Sequence, residues 1–180
     1  MMYEVQNTAM LNWLSGKSPE QRHFVALTLN WDFAGTTLDW LVTRPDCDLA
    51  TAVELFWRAE PSEMIEFATK DALLKEAAYY EWPYDFVGGI VRRATSGFYN
   101  RDLIAYDTSA FKEELSEYSE RQQNGEKLAW KIPDTFAIAH AGVSVNLGVP
   151  SSEFWSEDLR PLFAALGSHF GVPITGGKGV

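Results

Sequence analysis

Apolar residues recur at helical spacing along most of this chain. In 48–60, Leu49, Ala52, Val53 and Phe56 fall at i, i+3, i+4 and i+7, which predicts a helix with one buried face. Asp48 stands before it as an N-cap, and Glu54 and Arg58 lie four apart on another side in the favourable order for a surface pair. Upstream, Ser18-Pro19-Glu20-Gln21 has the form of a capping box with proline at the first helical position. It predicts a helix ending near Asn30, with Phe24, Leu27 and one of Val25 or Ala26 on its apolar face. Between these two, Gly35 precedes a short helical stretch over 37–42, and Pro45-Asp46 makes a turn. Pro61 either stops the 48–60 helix or starts the next one, over 61–68.

Downstream, 69–82 reads as a helix with Leu73, Leu74, Ala77 and Tyr80 inward, broken by Pro83. Helical pattern resumes over 84–98 around Gly88-Gly89, a pair that predicts close backbone packing or a kink. The stretch 108–123 is a helix capped by Thr108 or Ser109. From about Gly125 the character changes to prolines, glycines and short apolar runs, with a last helix over 153–169 capped by Ser151 or Ser152 and interrupted at Pro161. The tail from Gly171 reads as loose, its "TGGKG" lacking the frame of a phosphate loop. The fold expected is mainly α: a compact multi-helix domain with a less regular C-terminal part that includes short extended segments. One domain over 1–180 suits this length, with a subdivision into a 1–124 helical core and a 125–180 irregular part as the alternative.

The formal net charge of -10 argues against nucleic acid, whose phosphates are held by lysine and arginine. It disfavours anionic membranes on the same ground and favours a basic protein partner. No apolar run reaches the ~18 residues needed to span a bilayer, and the N-terminus has no basic n-region. With a single cysteine, Cys47, no intramolecular disulfide can form, and the expected compartment is the cytoplasm. The aromatic load of 7 Trp, 7 Tyr and 11 Phe suits a packed core and partner interfaces alike.

Chemistry is sparse. His23, His140 and His169 show no metal-binding spacing, and Cys47 has no second cysteine at zinc-site spacing. No cofactor or metal is expected. Cys47 precedes a helix N-terminus that would favour a thiolate, but its flanking aspartates oppose one, so packing is its expected role. Asp32, Asp46 and His23 are the residues a small hydrolase would draw on if a cleft gathered them. In the 108–123 helix, Glu113, Glu117 and Glu120 form an acidic stripe that Glu114 widens. It is either a solvated face or a docking face for a basic protein.

The window from Asn30 to Pro61 adds a resemblance. Asn30-Trp31-Asp32, then Pro45, Cys47 and Asp48, then Thr51, Ala52, Phe56 and Trp57 resemble the bacterial domain of unknown function family numbered 4274. Its pattern is N-W-D, P-x-C-D and a T-A-x-x-x-F/Y-W helix. Phe33-Ala34-Gly35 departs slightly from its common form. The resemblance covers about the first 80 residues and implies a fold, with no catalytic residues to carry over. Within the window, Asp48 and Asn30 are the expected backbone anchors, and Trp31, Trp40, Phe56 and Trp57 the aromatic clamps. The expected function is protein binding. Its concrete form is an immunity or antitoxin-like protein that neutralises a bacterial effector, a basic toxin, by occlusion. The alternatives are the small hydrolase and a homo-oligomeric scaffold.

Overall fold

The computed structural model describes residues 2–29, 31–99 and 102–145, with the side chains of 2–7, 9 and 32–34 outside that description. The structure is mainly helical. Eight α-helices occur among the described residues: α1 (Met2–Ser15), α2 (Pro19–Thr28), α3 (Trp31–Val42), α4 (Leu49–Arg58), α5 (Ser62–Ile65), α6 (Lys70–Glu76), α7 (Glu81–Thr95) and α8 (Lys112–Gln123). Three 3-10 turns accompany them, at Ala78–Tyr80, Ser109–Phe111 and Asp134–Phe136. Of the extended segments expected near the C-terminus, the described residues show two isolated bridges, Ile104 with Val143 and Tyr106 with His140. The expected 153–169 helix, its serine caps and the tail from Gly171 lie outside the described residues.

Two compact units divide the chain, Met1–Thr43 with Val145–Val180, and Arg44–Ser144. In the first, the capping box forms as the sequence predicts. Ser18 Oγ accepts from Gln21 N at 3.3 Å, and Gln21 Oε1 accepts from Ser18 N at 3.1 Å. Pro19 fills the first helical position, where its missing N–H has no partner to lose. The buried face of α2 is Arg22, His23, Val25 and Ala26, whereas Phe24 and Leu27 are only half-buried. The expected apolar face is therefore rotated. Buried Arg22 sends its Nε to the Leu14 carbonyl at 3.2 Å, satisfying an end group of α1 that the helix itself leaves open. Leu38, Leu41 and Val42 supply the buried side of α3. That helix starts at Trp31, well before the 37–42 stretch expected from pattern, and takes Gly35 into its interior. α1 has no counterpart in the sequence expectations.

The second unit is organised on α4. Ala50, Thr51, Ala52, Val53, Leu55, Phe56 and Trp57 are all buried, so the single buried face expected here is instead burial almost all round. Burial and then the Glu54 carboxylate push the Tyr106 phenol well above its usual range. After α4, Glu60 takes a left-handed backbone (φ 52°), a conformation that disfavours side chains with a Cβ. Pro61 then leads into the single turn of α5.

The 69–82 helix divides earlier than the proline. α6 ends at Glu76, and Ala77 turns extended at φ -147° and ψ 83°. Pro83 then falls in the first turn of α7. A helix running unbroken through it would drive the proline ring against the Tyr79 carbonyl four residues back; restarting at Glu81 avoids that clash. Gly88 and Gly89 are both buried in α7. A Cβ on Gly88 would lie 2.7 Å from Trp130 Nε1, so of the two expectations for this pair, close packing holds at Gly88. Neither Thr108 nor Ser109 caps α8 with its side chain. Asp107 instead caps the 3-10 turn that leads into α8, its Oδ1 accepting from Ser109 N at 2.8 Å, while Thr108 turns inward and is buried.

Candidate functional site

Asp48 holds two pieces of the second unit together. Its Oδ1 accepts from Ala50 N at 3.0 Å, capping α4, and its Oδ2 accepts from Leu103 N at 2.8 Å. The residue is 2% exposed. Burial raises its carboxyl above the usual range, opposed by the Leu103 and Ala50 N–H groups; nearby Asp102 adds to the rise and His140 works against it. Asp102 in turn lies 3.1 Å from the Nδ1 of buried His140, whose Nε2 lies 3.2 Å from the Thr135 carbonyl. His140 is also locked through its backbone, exchanging bonds with Tyr106 at 3.0 and 2.9 Å. Gly142 completes the junction: any Cβ there would run into the Leu103 carbonyl. Cys47 is buried, and its thiol faces the Asp48 carbonyl at 3.5 Å. Asp48, Asp102 and His140 thus form a clasp between the start of α4 and the two bridged segments. Both Asp48 oxygens and both His140 nitrogens are engaged in these contacts.

Trp57 extends the same architecture. Its ring stacks on Phe111 with centroids 4.4 Å apart and planes 2° from parallel. Phe56 meets Trp57 and Phe136 edge-on, each at 4.9 Å. Edge-on and offset geometries add about 0.5–1.5 kcal/mol per pair beyond burial. Trp31 begins α3 and is half-buried. Asn30 and the Asp32 side chain lie outside the described residues.

The acidic residues of α8 separate into different roles. Glu114 is half-buried and accepts from the Tyr118 hydroxyl at 2.6 Å. Burial, then this bond, hold the Tyr118 phenol well above its usual range. Glu113, Glu117 and Glu120 are exposed. Arg121, the cation of the last turn, points at Glu66 (2.7 Å) and Glu126 (2.8 Å), with Glu117 more distant at 3.8 Å. Lys112, at the first turn, acts on Asp107. Glu66 ends α5, and its bond to Arg121 brings it to a face that sequence spacing assigned to α8 alone.

An open groove of about 800 Å³ runs beside the second half of α8, lined by Thr69, Ser119, Gln122, Lys127, Trp130 and Asp134 among others. Neither Asp46 nor Asp48 lines it. Asp46 is instead held by Arg44 in a two-pronged pair at 2.6 and 2.9 Å. His23 is buried in α2, and burial lowers its imidazole to about 4. Among the described residues no group of three or more His, Cys, Asp or Glu is placed to hold a metal ion. No helix among them is long and apolar enough to cross a membrane.

Residues 17–94 match the sequence model of a family described as a domain of unknown function (DUF4274). That segment resembles DUF4274. The DUF4274 match runs from the start of α2 almost to the end of α7. It contains Cys47, Asp48 and Trp57 but not Leu103, His140 or Phe111, the groups around which those side chains are arranged. No curated protein and no solved structure matches the chain.

Sequence reasoning anticipated the Asp48 cap and missed the Asp102–His140 half of the clasp. Those two residues are 38 positions apart, and no local spacing links them. The one available signal was His140 itself, a polar ring in an otherwise apolar run of alanines, isoleucine and valine.

Proposed function

We propose that this protein works by binding another protein, a basic one, through the outer face of α8. The observation that carries the reading is the disposition of charge on that helix. Glu113, Glu117 and Glu120 are exposed, while Arg121 is drawn to Glu66 and Glu126 at shorter range than to Glu117. A partner bearing lysine and arginine would meet an almost wholly negative surface on a molecule of net charge -10, which speeds encounter and discriminates against acidic competitors. In its sharper form, the protein occludes the working surface of a basic bacterial effector in the cytoplasm, as an immunity protein does.

Exposed ion pairs are weak singly and screened by salt. The combined variant Glu113→Gln, Glu117→Gln, Glu120→Gln should therefore weaken capture of a basic partner on the order of tenfold at low ionic strength. Its helical circular dichroism should be unchanged, because none of the three supports the core. Capture by the wild type that is equally strong at low and high salt, or equally strong with the triple variant, would overturn the reading. The effector form is tested by coexpression with a basic bacterial effector: the wild type should restore growth to cells making it, and no rescue by the wild type overturns this form.

A further inference from the structure

The groove beside α8 differs in charge from the outer face of that helix. Ser119, Gln122 and Gln123 line it from α8, and their i, i+3, i+4 spacing puts them on one side of the helix. Glu113, Glu117 and Glu120 do not line it. Seven consecutive residues, 126–132, line it as well. Burial alternates along that stretch: Leu128 is half-buried and Trp130 and Ile132 are buried, whereas Lys127 and Lys131 are exposed. Trp130 is fixed twice, its ring 4.8 Å from that of Tyr84 and its carbonyl accepting from Gln122 Nε2 at 2.7 Å. Ala129 N donates to the Ile65 carbonyl at 2.8 Å. The two lysines are thus mounted on a segment anchored to both α5 and α8.

The acids of the groove do not cancel these lysines. Glu126 is held by Arg121 at 2.8 Å. Lys127 and Lys131 have no ion-pair partner among the described residues, and Asp134 is the one other acid that lines the groove. Two lysines against one aspartate leave an excess of positive charge here, on a molecule of net charge -10. The main chain of 127–132 is also largely uncommitted. Apart from the Ala129 N–H and the Trp130 carbonyl, none of its polar groups has a protein partner among the described residues.

We infer that this groove binds a short acidic segment of a protein partner. Lys127 and Lys131 meet its carboxylates, and the uncommitted main chain with the Gln123 amide pairs its backbone. The volume of about 800 Å³ falls in the ~300–1,000 Å³ range of ligand sites. A peptide fits better than a compact anion, because the lining follows seven successive residues and the two ammonium groups act as separate point charges. Nucleic acid fits worse still. Its dense charge is repelled by the molecule as a whole, and Trp130, 9% exposed, has no open face on which a base could stack. This inference is independent of the basic-partner reading, since it concerns another side of α8 and a ligand of opposite charge.

The test uses the full chain and labelled peptides of equal length, one alternating glutamate with glycine and one alternating glutamine with glycine. Both are titrated by fluorescence anisotropy at low ionic strength, beside a labelled oligouridylate. The wild type should prefer the glutamate peptide about three- to tenfold, the range expected of two exposed ion pairs. The double variant Lys127→Gln, Lys131→Gln should lose that preference with its circular dichroism unchanged, because both side chains are exposed. In the wild type the glutamate peptide should also shift the Trp130 indole N–H resonance. No preference in the wild type, a preference that survives the double variant, or oligouridylate bound as tightly as the glutamate peptide overturns the inference. The glutamine variant of Glu113, Glu117 and Glu120 should retain the preference while losing capture of a basic partner. If it instead loses the preference, the peptide lies on the outer face of α8 and the groove is not its site. Failure of basic-partner capture in the wild type leaves the groove result standing.

Discussion

Asp48 receives one N–H from its own helix and one from Leu103, 55 positions further along. Removing its carboxylate uncaps α4 and strands a buried donor at the same time. Asp48→Ala should accordingly cost about 2–4 kcal/mol, the sum of a lost cap and a lost charged bond, measured as a drop in urea midpoint at constant slope. The capping half of this role was legible because an aspartate directly before an amphipathic run has few other uses. The Leu103 half was not, since it exists only once the chain has brought residue 103 to residue 48.

His23 gives a prediction in pH. Its folded value, lowered to about 4 by burial, lies below the ordinary 6.5, so the unfolded chain takes up the proton first on acidification. Stability from this group is complete above about pH 6.5, falls as pH drops towards 4, and levels off below. Two and a half pH units correspond to about 3 kcal/mol. Unfolding free energy measured between pH 7 and 4 should fall for the wild type, and more shallowly for His23→Gln at whatever absolute stability that variant has.

Among the elements, α4 and α7 show where periodicity informs and where it misleads. In α4 the i, i+3, i+4, i+7 spacing identified a helix correctly, yet Leu55 and Trp57, off the predicted face, are buried as well. Periodicity records the first face that must be covered, and further elements then close over the rest. Phe111 on Trp57 and Phe136 on Phe56 are such covers, supplied from well downstream. In α7 the two glycines looked equivalent in sequence, but their surroundings differ. A Cβ at Gly88 meets the rigid indole of Trp130 at 2.7 Å, whereas at Gly89 it meets the flexible tip of Arg93 at 2.9 Å. Gly88→Ala should destabilise by about 1–3 kcal/mol despite the gain in helix propensity. Gly89→Ala should be close to neutral, because the arginine swings aside. Thermal melts of the two variants side by side check the contrast.

For the whole molecule, net charge and helical class were readable from composition and pattern alone, but the placement of charge was not. The acidic stripe of α8 gains Glu66 through Arg121, which bonds it from 55 positions away, a neighbour relation between stretches far apart in sequence. Likewise Lys127 and Lys131 were two charges among many until the fold set both along one groove. Composition counts side chains; only folding decides which of them face water.

Trp130 lies outside the segment that matches DUF4274, and Gly88, the notch it occupies, lies inside. A polypeptide cut at residue 94 would therefore carry an empty indole-shaped slot along α7. The slot on the matching stretch is filled by an indole from outside it, so one wall of α7's packing is supplied by the polypeptide beyond residue 94.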